Sequence, residues 1–378
     1  MKSHRHDVVH VTTVHNPRDP RITYRECRSL AQSGVDVALL APRDVKGFAA
    51  PGFPFFAMPR FRSRPLRASI GVGLAGNRIL SLSPRIAHLH DPELLWITPL
   101  LRLCGVRVVY DVHEDYSTAI RLKRYLPRIL RPLLARLFDN YERFFASFAR
   151  TIIAERYYRE RFPRSVEILN YPPADFGPSE ALPSDIQSRV RTSTWKWFVY
   201  AGNVTEDRGA ILQLQILTAR SDTAILYIGY CPGRLYRRMR AWLEEHSISS
   251  SRLFVVGVDQ YVAQEWIADA LFVLPFRGAL AVFPLSDHYY RKELTKIYEY
   301  IRADLPVIAS DFPVWRGLIA RHTSKYELVD PGSVADIRRA TNRILDEGRE
   351  MWSSSRRLNP IFDGQISALK RLYASMGM

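Results

Sequence analysis

The stretch Lys292–Asp311, KELTKIYEYIRADLPVIASD, decides how the rest of the chain is read. Leu294, Ile297, Tyr298 and Ile301 recur at steps of three and four, a spacing that predicts a short helix. After Pro306, VIAS is a compact β-rich run of the kind buried in parallel sheets. Thr295 and Lys296 fall in the first turn of the predicted helix. Unpaired backbone N–H groups and the helix dipole there favour an anion such as a phosphate. Glu299, one turn further on, is placed to meet sugar hydroxyls attached to that phosphate. The competing reading is a solvent-facing glutamate on an ordinary amphipathic helix.

Working outward, 378 residues exceed one ordinary core and predict two domains. The three cysteines, Cys27, Cys104 and Cys231, are odd in number and far apart, which excludes a disulfide framework or a zinc knuckle and points to a reducing cytoplasm. The first residues lack the long apolar core of a signal peptide, and no apolar run approaches the ~20 residues that span a bilayer. A membrane, if met, is met at its surface, from the inner face. The net charge of +16 is uneven: residues 1–180 hold 28 Lys and Arg against 17 Asp and Glu. Such a bias attracts polyanions without choosing among nucleic acid, anionic lipid and a phosphorylated acceptor.

At the start, VVHVTTV reads as a buried strand, HNPRDPRI as a loop, then a helix stopped by Gly34 and a second strand, VDVALLA: a βαβ unit. Its first loop is not a GxGxxG fingerprint, which disfavours a nicotinamide or flavin enzyme. Arg18 and Arg21 follow a strand and so belong at the ligand-binding edge of a parallel sheet. Residues 51–85 read as a loop rich in aromatics and arginines (Arg60, Arg62, Arg64, Arg67) and then a helix from about Leu66 to Leu82. No RNA-binding or helix-turn-helix signature accompanies them.

Two polar clusters follow strands: His90, Asp91 and Glu93 after IAHLH, and Asp111, His113, Glu114 and Asp115 in VRVVYDVHEDY. In a parallel sheet both emerge at the same carboxyl edge. A rival chemistry uses the same residues, with His88, His90, Asp91, Asp111 and His113 ligating a divalent metal as in a hydrolase. We set it aside because His88 and Asp91 are expected to point away from His90.

The stretch from Thr118 to Arg150 reads as helical, interrupted at Pro127 and Pro132. Between Arg121 and Arg136 it carries Arg121, Lys123, Arg124, Arg128, Arg131 and Arg136 with no acid, among leucines and isoleucines. That composition suits contact with an anionic membrane, and equally a packed helix with a basic rim. Residues 179–194, after Pro172, Pro173, Gly177 and Pro178, read as a linker. WKWFVYAG then restarts a βα order, with strands TAILYIG and RLFVVG, helices around 232–245 and 260–267, a loop GALAVFPLSDHYYRK, and the stretch quoted above. The boundaries expected are 1–178, 195–358, and a C-terminal helix over 359–378 packed on the first domain.

The quoted stretch resembles the donor-binding segment of family 4 glycosyltransferases, in the branch with a PTK-x-x-EY signature followed by GLPVIASD. Thr295, Lys296, Glu299, Tyr300 and Leu305–Asp311 match, while Leu294 replaces the proline, Asp304 the glycine, and Arg291 the first of a glutamate pair. The opening residues Val14, His15, Pro17, Asp19, Arg21 and Ile22, the blocks HDPEL and YDVHEDY, and the turn Gly202–Gly209 resemble the same branch. The resemblance implies a GT-B fold, two Rossmann-like doubly wound domains facing a cleft. It implies sugar transfer from a nucleotide-diphosphate donor with retention of configuration.

By the same resemblance His113, Arg208 and Lys296 act in catalysis. Gly202, Asn203, Arg208, Val258, Thr295, Lys296 and Glu299 bind the donor, Glu299 at the ribose. His15, Asp19, Arg21, His90, Asp91, Glu114 and Asp115 line the acceptor side. Asn203 stands where many relatives carry a second cation. The acceptor expected is a glycan or a lipid-linked sugar in polysaccharide or glycolipid biosynthesis, with no cofactor, no metal and no nucleic acid. Arg121, Lys123, Arg124, Arg128 and Arg131 are the expected membrane contact. No D-x-D triplet is present, against a metal-bridged GT-A enzyme. A nucleotide-sugar epimerase, a non-catalytic glycan-binding relative and a basic nucleic-acid-binding protein remain as alternatives.

Overall fold

A computed structural model describes residues 6–43, 47–123, 126–173, 175–347 and 362–378. The chain divides into two units, residues 1–174 together with 361–378, and residues 175–360. Among the described residues no helix is long and apolar enough to cross a membrane.

The first unit is built on seven parallel strands, β1 (His6–Val11), β2 (Val37–Pro42), β3 (Phe55–Met58), β4 (Pro84–Leu89), β5 (Arg107–Val112), β6 (Arg150–Ile153) and β7 (Val166–Glu167), in the order β3-β2-β1-β4-β5-β6-β7. Helices cover both faces, so the central strands are buried on both sides and read as continuous apolar runs. Val9, Val11, Leu40 and Leu89 pack on one face with Ile79 and Leu101. Val8, Leu39, Ile86 and Val109 pack on the other with Ile22, Ile366, Leu369 and Tyr373. The last three belong to the helix Asp363–Ser375, which is thereby part of the first core.

The second unit has six parallel strands, β8 (Lys196–Ala201), β9 (Thr223–Cys231), β10 (Leu253–Val258), β11 (Gly278–Ala281), β12 (Val307–Ser310) and β13 (Tyr326–Val329), in the order β10-β9-β8-β11-β12-β13. Both sheets are doubly wound. Strand order reverses beside β1 in the first and beside β8 in the second, and ligands bind at the carboxyl ends around such a reversal.

Three expectations are corrected. Residues 179–194 are not a linker: Ser184–Arg191 is a helix with Ile186 and Val190 buried. Asp269 fixes the segment before it, accepting from Ala181 N at 2.5 Å and Leu182 N at 2.8 Å. The boundary lies at residue 174 instead. GALA, read as loop, is β11, central because its four buried residues pair with both β8 and β12. Phe55–Met58, also read as loop, is β3, paired with β2.

Candidate functional site

In the second unit the chain leaves β8 at Ala201 and turns at Gly202, whose φ of +99° is strained for any side chain. A Cβ there would stand 3.8 Å from Lys296 Nζ. Gly229 of β9 lies so close that its Cβ would be 2.2 Å from Gly202 O, so these strand ends present bare backbone. Lys296 is the second residue of the helix Thr295–Arg302, as the apolar spacing predicts. Tyr300 pins that helix to the strand reversal: its hydroxyl accepts from Ala201 N at 2.9 Å and donates to Leu280 O at 3.2 Å.

Lys296 is 8% exposed, with Nζ 3.4 Å from the Tyr200 ring centroid and 5.2 Å from that of Phe283. No hydrogen-bond acceptor among the described residues reaches Nζ. Burial, and next the Arg208 guanidinium, push the Lys296 pKa well below its ordinary value. Arg208 Nε donates to Tyr289 OH at 3.3 Å, and Tyr289 in turn donates to Asp207 at 2.6 Å. Two basic groups near enough to repel each other, at a helix N-terminus and beside bare backbone, form a place for an anion. Glu299, 6% exposed, lies one turn on, with Gln264 Nε2 at 3.4 Å from its carboxylate.

Thr295 is half-buried at the start of this helix. Asn203 is exposed and contributes its backbone carbonyl, which accepts from Tyr200 OH at 2.9 Å. Val258 ends β10, where the ladder with β9 is irregular. Arg291 is exposed.

In the first unit the carboxyl ends of β1, β4 and β5 gather the polar residues expected there. His15 and His113 meet with their Nε2 atoms 3.1 Å apart, both part-buried. Burial lowers the His15 pKa, but the carboxylates of Asp19 at 3.3 Å and Asp91 at 3.3 Å outweigh it and raise the value to about 9. His15 is therefore held toward its imidazolium form at neutral pH. His113 Nδ1 lies 3.2 Å from Asp111 Oδ2. Glu114 is exposed and Asp115 half-buried, its carboxylate capping the helix Tyr116–Leu122 through Thr118 N.

Three expected acceptor residues stand behind this front. Asp91 is fully buried, and its Oδ2 accepts from Thr12 Oγ1 at 2.8 Å and Thr13 N at 2.6 Å. Arg21 is buried in a two-pronged pairing with Asp111, Nε at 2.7 Å and Nη2 at 2.8 Å. His90, 1% exposed, reaches Asp111 Oδ2 at 3.1 Å. They orient the front and do not face solvent. Asp19 is in part a helix cap, accepting from Arg21 N and Ile22 N.

Deeper still lies a group of which only His88 and His90 stood out in the sequence. His10 Nδ1 is 2.9 Å from His90 Nε2, and His88 Nδ1 is 2.6 Å from Tyr373 OH. Glu26 sits among them with 0% exposure, and burial pushes its pKa well above the ordinary carboxylate range. The expectation that His88 diverges from the rest is corrected. Two residues apart in one extended segment, His88 and His90 project to the same side, ring centroids 4.7 Å apart.

Of the expected membrane contacts, Arg124 lies outside the described residues. Arg121 and Arg128 are exposed, Lys123 and Arg131 half-buried. Along the segment into the helix Arg131–Ala146, Ile129 is 86% exposed and Leu133, Leu137 and Phe144 are each more than half exposed. The outer side of this helix is thus both basic and apolar.

Comparison with known proteins agrees with these geometries. Residues 20–158 match the family described as Glycosyltransferase Family 4. No curated protein sequence matches the chain. Solved structures match over 98% of it. A sucrose-phosphate synthase from Thermosynechococcus elongatus has a TM-score of 0.67 at 15% identity, with 97% of that chain covered. The Anabaena protein HepE, in complex with UDP and glucose, has 0.72 at 10% identity, with 100% covered. WaaG, a glycosyltransferase involved in lipopolysaccharide biosynthesis, has 0.65 at 13% identity, with 99% covered. Residues 20–158 are thus similar to family 4 glycosyltransferases, and the fold is that of the GT-B glycosyltransferases, two Rossmann-like units.

Proposed function

We propose that this glycosyltransferase takes a sugar from a nucleotide-diphosphate donor and moves it, with retention of configuration, to a glycan or lipid-linked acceptor in cell-surface polysaccharide or glycolipid synthesis. The observation that carries the reading is Lys296, buried beside Arg208 at the start of its helix with no hydrogen-bond acceptor among the described residues. Transfer breaks the bond between the anomeric carbon and a phosphate oxygen, and the electron pair leaves with the diphosphate. Lys296, Arg208 and the helix N-terminus take up that charge without a metal, while the sugar passes through an oxocarbenium-like state. The acceptor hydroxyl forms the new bond, and its proton passes to an oxygen of the departing diphosphate. Glu299 holds the ribose, Gly202 and Asn203 border the phosphates, and Val258 flanks the base. His113, with His15, Glu114 and Asp115, belongs to the acceptor side.

HepE, which shares the fold, was solved with UDP and glucose, in support of a nucleotide-sugar donor. The reading places the protein in the cytoplasm, peripheral on the inner face of a membrane. The exposed Ile129, Leu133 and Leu137 with Arg128 and Arg136 support that contact, since apolar side chains enter the headgroup boundary while cations attract anionic lipid. The test is incubation with a panel of nucleotide sugars, following nucleotide release with and without lipid-linked acceptor. Acceptor-dependent release of nucleotide supports the reading. Conversion of the sugar without acceptor would indicate an epimerase, and donor binding without turnover a glycan-binding relative.

A further inference from the structure

The polar group behind the acceptor-side front does not face solvent, and His90 bears on that front only through Asp111. His10, Glu26, His88 and His90 come from β1, from the helix Pro20–Cys27 and from the end of β4, and each is at most 1% exposed. Their ligand atoms all lie within 4.8 Å of one another. Glu26 Oε2 is 3.6 Å from His10 Nδ1, 3.9 Å from His88 Nδ1 and 4.0 Å from His90 Nε2. Neither oxygen of Glu26 receives a hydrogen bond among the described residues, although Arg21 Nη2 comes to 3.2 Å, and His88 Nε2 is unpaired as well. A fully buried carboxyl group left in this state costs several kcal/mol unless something else satisfies it.

We infer that this group is a structural metal site, in which His10, His88, His90 and Glu26 hold a divalent ion of the zinc class. Three imidazole nitrogens and one carboxylate oxygen are a donor set zinc accepts. Bonds of about 2.0–2.1 Å set tetrahedral ligand atoms about 3.4 Å apart, inside the range of spacings present. The ion replaces the proton now shared between His10 and His90, and shifts of roughly an ångström bring the four atoms to one centre. Two of the three rings have an outer partner in place: Asp111 Oδ2 at 3.1 Å holds the other nitrogen of His90, and Tyr373 OH at 3.4 Å faces Nε2 of His10. Such partners fix the ring and tautomer of a ligating histidine.

With four protein ligands and no exposure the ion has no open position for water or substrate. The site ties three elements and the C-terminal helix together, and the hydrolase chemistry weighed from the sequence does not follow. The inference is independent of the donor reading above. It revises the expectation of a metal-free protein.

The experiment uses the full chain. Elemental analysis of the purified protein is expected to give about one equivalent of a divalent metal, retained through desalting with chelator because the site is closed. Unfolding in guanidinium with chelator, then refolding with and without Zn2+, is expected to give a Tm several degrees higher with the metal. Co2+ in its place is expected to give the visible bands of a tetrahedral site. Glu26→Gln and His88→Gln are each expected to lose the metal and the Zn2+-dependent part of the Tm, and either variant suffices if the other does not fold. Wild-type protein that is isolated without metal and refolds to one Tm with or without Zn2+ overturns the inference. So does a metal-free Glu26→Gln variant as stable as wild type, which would show that Glu26 sits there simply as a neutral acid.

Discussion

Replacing Lys296 by methionine should move stability and affinity in opposite directions. Methionine keeps the length of the chain against Tyr200 and Phe283 but removes a buried amine that has no hydrogen-bond acceptor among the described residues. Leaving such a group unsatisfied costs about 1–3 kcal/mol, so the second unit should melt a few degrees higher. The sign with pH follows from the direction of the pKa. A lysine held below its unfolded value of 10.5 costs stability at lower pH, and that cost vanishes as pH rises to 10.5. The gain in the variant should therefore shrink in alkali. Binding should behave in the reverse way. A diphosphate pairs with the ammonium form, and loss of a buried charged partner costs about 3 kcal/mol, or roughly 150-fold in Kd. Because burial disfavours the charged amine, wild-type binding should also draw a proton from solution. Calorimetry with UDP, ADP and GDP in two buffers of different ionisation enthalpy reads affinity and proton uptake together. A Lys296→Met protein that melts lower than wild type and binds the nucleotide unchanged would make Lys296 a packing residue on an aromatic wall, and the donor site would have to be sought elsewhere.

Other outcomes are expected along the chain. His15, raised from 6.5 to about 9, contributes stability that is complete below 6.5 and disappears as pH rises through about 9; thermal melts of His15→Gln should lack that alkaline loss. Asp304, at φ +58°, is strained, and its ion pair with Lys325 is exposed and weak. Asp304→Gly should therefore gain about 1 kcal/mol in a denaturant titration. Gly229→Ala drives a Cβ into Gly202 O and should cost about 2 kcal/mol or more together with nucleotide affinity, read by melting and calorimetry. Replacing Arg121, Arg128 and Arg136 by glutamine removes about 1 kcal/mol of attraction each and should lower partitioning to anionic liposomes on the order of a hundredfold, donor binding being spared. Wild-type protein that ignores such vesicles at low salt would point to a soluble acceptor.

The parts of the fold legible in the sequence are those where one local signal dominates. The helix over Thr295–Arg302 and the strand after Pro306 lie close to where apolar spacing and a β-branched run put them. β11 was hidden because GALA has no β-branched or aromatic residue, and only its burial between β8 and β12 makes it a strand. Ser184–Arg191 was hidden by the prolines and serines before it, which read as linker until Asp269 is seen to accept their backbone donors. At the site, carboxyl-edge residues were legible because parallel strands deliver whatever follows them to one edge. Depth was not. Arg21, His90 and Asp91 lie in the same motifs as His15 and His113, yet face inward. Glu26 lies on a helix whose charges the sequence would place in water. The partner of His88 is Tyr373, 285 residues away, and no local pattern reports such a meeting.

The helix Asp363–Ser375 packs in the core of the first unit although the whole second unit is made before it. As the chain leaves the ribosome, the second unit is continuous and can complete its core while the first still lacks Ile366, Leu369 and Tyr373. The order of maturation is then the reverse of the usual amino-terminal-first order. Until that helix arrives, the face of the first sheet that holds Val8 and Leu39 is covered only in part, by the segment carrying Ile22, Cys27 and Leu30, and a nascent first unit should depend on a chaperone that covers apolar surface. A chain stopped at about residue 350 should accumulate as an insoluble first half attached to a folded second half.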